Sequence, residues 1–288
     1  MKRDSTPPRR VTAFGAAKIN IGLRVGALRD DGYHDVCGLV QTTSLADRLT
    51  FTAGGDAAVT VRVPGHPELQ TDDNLVAAVG REIAELCEPA PVTVEIDKQI
   101  PVAAGLGGGS ADAAAALAAF NVMWGAGLTP AKLLELGSRI GSDVPAILAG
   151  GLVHIAGRGD RVRALGSATE GAFVLGISAE RISAAGAYAQ FDRLQKGRAD
   201  TLHHNDLESA AVAMVPELAG RIDAMRVAGA SPVFVSGSGP TVVGVAATDA
   251  GAREIANRVA SSFDRVEVVQ PSAWGVRVMI GSPDASLD

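Results

Sequence analysis

With 288 residues, 47% of them hydrophobic, and charges of both signs, the chain has the balance of an ordinary globular protein, long enough to favour two domains and unlike a disordered or membrane-embedded one. A formal net charge of −6 excludes a general nucleic-acid binder and a protein held on an anionic membrane surface. Two cysteines, Cys37 and Cys87, lack the spacing of a zinc site or disulfide framework and read as reduced, buried thiols of a cytoplasmic protein.

The segment Met1–Arg10 carries basic residues and Pro7-Pro8 but no apolar run, so it reads as a loose tail and not as a secretory signal. Thr12 to Val25 has the pattern of a strand, interrupted by Lys18 and Asn20, and Arg29-Asp30-Asp31-Gly32 is a turn. Val59, Val61 and Val63 alternate as a half-buried strand that Pro64-Gly65-His66-Pro67 ends. Asp72 or Asp73 is expected to cap a helix running to about Leu86, and Val92 to Ile96 is a strand. The apolar run Ala113 to Leu128 is short for a membrane span and is broken by Asn121, Gly125 and Gly127, so it reads as a buried helix. Thr129 and Pro130 open another helix as its cap and first residue, and Gly150-Gly151 opens a strand to Ala156.

The pattern restarts near residue 165, which divides the chain into 1–165 and 166–288. Ala172 to Ile177 reads as a strand, Ser183 to Leu194 as a helix, and Leu207 to Val227 as one or two more. Val233–Val235 and Val242–Ala246 flank the glycine turn Ser236-Gly237-Ser238-Gly239-Pro240. A helix near Ala250 to Ser261 and a strand near Val266 to Val269 close the second unit.

The most informative stretch is IPVAAGLGGGSADAAAA, Ile100 to Ala116. Glycines 105, 107, 108 and 109 let backbone N–H groups approach a ligand closely. The helix behind them aims its positive dipole end and its unpaired first N–H groups at the same place, which suits a nucleotide phosphate. It is not a P-loop, because Gly109 is followed by Ser110 and Ala111 where Lys and Ser or Thr belong. Nor is it the dinucleotide fingerprint: the glycine spacing misses it and no acidic residue follows at the right distance, which disfavours a Rossmann oxidoreductase. A third kind of phosphate cradle remains, beside the plainer possibility of a tight helix–sheet turn.

AAKINIGL at 16–23, the glycine segment, and VFVSGSGPTVVG at 233–244 together resemble, in order and spacing, the three motifs of the GHMP kinases. RDDGYHDV at 29–36, DNLV at 73–76, GSDVPAIL at 141–148 and HNDLE at 204–208 are similar to the branch of that family that phosphorylates a CDP-linked methylerythritol. The resemblance implies an α+β, two-domain fold, with an N-terminal ribosomal-S5-like nucleotide-binding domain and a C-terminal α/β sandwich. It also implies ATP with Mg²⁺ as phosphoryl donor, CDP-methylerythritol as small-molecule acceptor in the non-mevalonate route to isoprenoid precursors, and a monomer or weak homodimer in the cytoplasm.

Site residues follow from the same likeness. Asp143 matches the family's catalytic base, although Asp beside Ser142 and Gly141 also suits a helix cap. Lys18, a cation in an apolar strand, needs a partner, and a Lys18–Asp143 pair satisfies both charges; a lysine snorkelling from a strand edge is the alternative. Asn20 faces the same side and is expected to touch substrate or hold that pair. Tyr33 and His34 match the family's cytosine-reading residues, and Tyr188 aligns with its second stacking aromatic. Gly237, Ser238 and Gly239 are expected to close over the substrate. Pro101, Ala104, Gly105, Leu106, Gly107, Gly108, Gly109 and Ser110 are expected to hold the nucleotide phosphates, with the Ser110 hydroxyl near a phosphate or Mg²⁺. Asn74 and Lys98 complete the nucleotide side; capping for the first and a solvated surface position for the second stay open. Asp112 reads as a dipole-stabilising residue. Asn205 and Asp206 read as substrate-side groups, with helix capping by Asp206 also open. His66, His154, His203, Trp124 and Trp274 have no site context and read as structural. Another GHMP kinase, acting on homoserine or phosphomevalonate, and a non-catalytic nucleotide-binding homologue both remain open.

Overall fold

Two very long strands, β1 (Arg10–Leu28) and β2 (His34–Ala53), form a hairpin across the turn at residues 29–33 and frame the first half of the molecule. The computed structural model describes residues 8–166, 170–194 and 204–281; residues 1–7 of the basic tail and His203 lie outside the described residues. After the hairpin come β3 (Val59–Arg62), α1 (Leu75–Ala84), β4 (Val92–Asp97), α2 (Gly108–Met123), α3 (Pro130–Ile140), α4 (Val144–Ala149), β5 (Leu152–Gly157) and β6 (Arg161–Ala164). The second half runs β7 (Ala172–Ile177), α5 (Ala184–Leu194), α6 (Glu208–Met214), α7 (Glu217–Val227), β8 (Val233–Val235), β9 (Val242–Ala246), α8 (Asp249–Val259), β10 (Arg265–Val269) and β11 (Val276–Ile280).

Among the described residues, the strands make two sheets. The larger has the order β11-β1-β2-β4-β3, with β5 on the N-terminal half of β2 and β6 on β5; β3 and β4 are parallel and the other pairs antiparallel. The smaller has the order β10-β7-β9-β8. Alternation along β7 joins the two: Phe173, Leu175 and Ile177 belong to the main core, whereas Ala172 and Val174 face the cluster under the second-half helices.

The alanine-rich helix α2 lies at the centre of the first half, with Ala111 to Leu117, Ala119, Phe120 and Met123 buried. A helix apolar on every side must be covered on every side, and β1, β2, β11, α1, α3 and α4 cover it. Its packing is anchored at the far end by Phe120, edge-on to Phe51 at 5.0 Å and stacked on Trp124 at 4.3 Å.

Three expectations change. The cap of α1 is Asn74, not Asp72 or Asp73: its Oδ1 accepts from the Val76 N–H. Neither β2 nor β11 is signalled by the sequence pattern. In β2 the alternation is hidden by Gln41, Thr42, Thr43 and Asp47, all buried polar residues, while β11 leaves the second half and pairs with β1, Val11 opposite Ile280. Finally, Cys37 is exposed on the outer face of β2 and Cys87 is half-buried, so neither is the fully buried thiol expected. No helix among the described residues is long and apolar enough to cross a membrane.

Candidate active site

The glycine loop is held from two directions. Strand β1 takes it from one side, where the Lys18 N–H donates to the Leu106 carbonyl at 2.9 Å. The turn at 236–239 takes it from the other, where Ser236 Oγ donates to the Gly105 carbonyl at 3.1 Å and accepts from the Asn20 N–H at 3.3 Å. Gly107 sits at φ +73° with its α-carbon against the Lys18 stem; a β-carbon there would come within 2.9 Å of Lys18 Cγ, so only glycine fits both the angle and the space. Helix α2 starts at Gly108 without a side-chain cap, leaving its first N–H groups turned to the loop. A cleft of about 380 Å³ opens there, lined by Pro101 to Gly105, Gly107 to Ser110, Asn74, Lys98 and Asp112 among others. Leu106 is instead buried in the main core.

Lys98 is no surface lysine. Its side chain is 4% exposed, and its ammonium bonds Asp47 and Asp112, the latter at 2.7 Å. Asp47 Oδ1 also accepts the N–H groups of Gln99 and Ile100, which fixes the start of the loop. Burial works against the Lys98 charge, but the two carboxylates outweigh it and raise its pKa. Two carboxyls share one ammonium here, and Asp112 Oδ1 has no partner. Burial therefore pushes the Asp112 carboxyl up to about 8, with the Asp47 charge adding to the effect and Lys98 opposing it. Asp112 is thus part of a buried polar cluster with Lys98 and Asp47 and lies beyond the first turn of α2, so it is not a simple dipole-stabilising residue.

A second cleft, of about 600 Å³, shares Ser110 with the first and contains Lys18, Asn20, Tyr33, His34, Asp143, Tyr188, Gly237 and Ser238. Register shifts in the β1–β2 pairing fall on either side of Lys18–Asn20, where a bulged strand re-aims its side chains. Lys18, 4% exposed, lies 3.3 Å from Asp143 Oδ2 and donates to Asn20 Oδ1 at 2.6 Å. The snorkelling alternative is thereby removed. Asp143 occupies the cap position of α4, yet its carboxylate makes no capping bond and stays open to the cleft.

At the other end of this cleft Tyr33 is 51% exposed, with the Arg158 guanidinium carbon 5.1 Å from its ring centre. His34 is buried; its Nε2 lies 2.9 Å from Asp192 Oδ1 and its ring stacks on Tyr188 at 5.1 Å and 16°. Tyr188 therefore has an aromatic partner already. Burial, and then the Asp143 charge, push its hydroxyl up to about 12, so it stays a neutral donor. Gly239 is not part of the lining: it turns the loop against the Gly105 backbone. Asn205 and Asp206 are structural braces. The Asn205 amide donates to the carbonyls of Val235 and Gly237, and Asp206 Oδ2 accepts the Val25 N–H at 2.7 Å without capping α6. Asn74 does both things open to it, capping α1 and lining the first cleft.

Sequence reasoning missed Asp47, Asp192 and Arg158. Asp47 lies in a strand not foreseen, Asp192 on the outer turn of a helix, and Arg158 in a Gly-Arg-Gly turn whose glycines were the available signal.

Comparison with known proteins gives a consistent set of likenesses. Residues 74–151 match the model of the GHMP kinases N terminal domain and residues 184–265 that of the GHMP kinases C terminal domain. The chain is 39% identical over 280 residues to 4-diphosphocytidyl-2-C-methyl-D-erythritol kinase of Salinispora tropica, covering 88% of each. It is 37% identical to the protein of that name from Streptomyces coelicolor, over 93% of this chain and 99% of the relative. A crystal structure of 4-(cytidine 5'-diphospho)-2C-methyl-D-erythritol kinase superposes with a TM-score of 0.76 at 28% identity, over 90% of this chain and 99% of that one. A homoserine kinase from Cytophaga hutchinsonii superposes with a TM-score of 0.75 at 17% identity, over 96% of this chain and 99% of that one, which is a likeness of fold alone.

Proposed function

The chain belongs to the GHMP kinase family, and from that premise we propose that it transfers the γ-phosphoryl group of ATP to the tertiary 2-hydroxyl of 4-diphosphocytidyl-2-C-methyl-D-erythritol. The chain is a kinase that uses ATP on a small molecule, in the non-mevalonate route to isoprenoid precursors. The observation that carries the finer reading is the Lys18–Asp143 pair, 3.3 Å apart beside Ser110, where the glycine-loop cleft meets the cleft of Tyr33 and His34.

Phosphoryl transfer needs positioning, charge neutralisation and a group to take the hydroxyl proton. Asp143 takes that proton as the acceptor oxygen bonds to phosphorus and the terminal P–O bond breaks, leaving ADP. Lys18, 3.3 Å from that carboxylate, offsets the negative charge gathering on the transferring group. Asn20, bonded to the Lys18 ammonium, holds it in register. The backbone donors of Gly105 to Ser110 hold the phosphates, and the α2 dipole assists them.

Among the described residues no group of three His, Cys, Asp or Glu side chains could hold a metal ion. That suits Mg²⁺, which is commonly carried by phosphate oxygens and water rather than an all-protein cage. The Ser110 hydroxyl is the side-chain oxygen common to both clefts, and the ion would supply charge neutralisation there. Tyr33 offers an exposed ring face for cytosine, and His34, its Nε2 fixed by Asp192, leaves Nδ1 for a polar partner.

ADP release measured separately with CDP-methylerythritol, homoserine and phosphomevalonate tests the reading. Turnover with the CDP-linked substrate alone is expected. Turnover with either of the others alone would assign another branch of the family, and no release with any would favour a non-catalytic nucleotide-binding protein.

A further inference from the structure

The acceptor named above has a cytidine at one end, the reacting hydroxyl at the other, and a doubly charged diphosphate between. The cleft that would take it contains the charged side chains of Lys18, Asp143, Arg158 and Asp192. Lys18 is committed to Asp143 and Asn20. Arg158 is not so committed: its Nε is 3.9 Å from Asp160 Oδ2 and its Nη2 makes a long 3.5 Å bond to the Ser138 carbonyl. Of the two cations lining the cleft, it is the one with the looser ion pair.

Its placement is built into the fold. Arg158 stands on the β5–β6 turn, where its N–H donates to Asp160 Oδ1 at 2.9 Å. Gly159, at φ +100°, presses the turn against the segment before Asp143; a β-carbon there would lie 3.2 Å from the Ser142 carbonyl oxygen. The side chain extends over the Tyr33 ring, its Nη2 donating to the Ser138 carbonyl. Arg158 thus spans from the phosphoryl-acceptor end to the base end, which is where a diphosphate joining them would run.

We propose that Arg158 binds the diphosphate of the CDP-linked substrate and selects for it over an uncharged nucleoside. The inference rests on the substrate reading above. A planar guanidinium offers paired donors to phosphate oxygens, and in a partly enclosed cleft such charge-assisted bonds are stronger than neutral ones.

Calorimetric titration of CDP and of cytidine into the wild-type enzyme, Arg158→Gln and Arg158→Lys separates the possibilities. The wild type is expected to bind CDP more tightly than cytidine. Arg158→Gln is expected to bind cytidine as the wild type does but CDP roughly 10- to 100-fold more weakly, with Arg158→Lys between them and the KM for ATP unchanged. If Arg158→Gln keeps the full preference for CDP, or loses cytidine and CDP alike because Arg158 only props Tyr33, the inference is overturned. If the wild type binds neither cytidine compound, the substrate reading itself falls and takes this inference with it.

Discussion

The cleft over the glycine loop and the cleft beside Tyr33 meet at Ser110 but solve recognition in opposite ways. The first is lined largely by the glycine-rich loop at 101–110, and the Lys98 and Asp112 side chains in it are already tied together with Asp47. The second presents side chains: a tyrosine half in solvent, an arginine with slack bonds and a carboxylate left open at the mouth of a helix. Backbone amides recognise any triphosphate of suitable length, so the first suits a donor common to many kinases. Discrimination among acceptors has to come from the second, where residue identity changes shape and charge directly.

Substitutions that act on one cleft only would sharpen this contrast, and any that spread to both would break it. The largest effect is expected for Asp143→Asn, which should lower kcat about 10²- to 10⁴-fold, the usual worth of general acid–base catalysis. Binding of CDP-methylerythritol, followed by calorimetry, should stay within a few-fold of normal; undiminished turnover would remove Asp143 from the role of base. Tyr33→Ala should weaken acceptor binding by about 1–3 kcal/mol, if stacking here resembles that of bases on aromatic side chains elsewhere. The KM for ATP should not move, and an equal loss for both ligands would point to damage to the fold.

A third effect concerns stability and not catalysis or binding. Asp112 has a folded pKa raised from an ordinary 3.8 to about 8. Between those values the folded chain holds a proton that the unfolded chain has released, so this group's contribution is full at low pH and is lost as pH rises toward 8, by at most about 1.4 kcal/mol per unit. Asp112→Asn, which cannot titrate, should flatten that slope in thermal melts between pH 5 and 8. An unchanged slope would mean that Lys98 keeps Asp112 ionised throughout.

How far the sequence alone reaches also differs between the clefts. Gly105 to Ser110 was legible because glycine runs before a helix have few other uses, and Lys18 stood out as a charge in an apolar strand. Strands β7, β8 and β9 fell where their short apolar runs placed them. Strand β2 was hidden because its buried side includes Gln41, Thr42 and Asp47, whose partners come from remote segments: the Ser272 carbonyl for Gln41 and Thr42, and the backbone at 99–100 for Asp47. The same cause hid the state of Lys98, since a lysine's neighbours cannot be inferred until the strand supplying Asp47 is known. Asp192 lay on a helix stretch whose composition matches any solvated surface, and Arg158 was marked only by the glycines on either side of it.

Strand β11 has one more consequence. After visiting the second half, the chain comes home to lie along β1, so the first and last described strands are hydrogen-bonded neighbours. A fragment cut near residue 165 would expose a raw, unpaired edge where β11 had been. The two halves are therefore stitched together like a belt through its own buckle, and splitting the gene there would not yield two self-sufficient pieces.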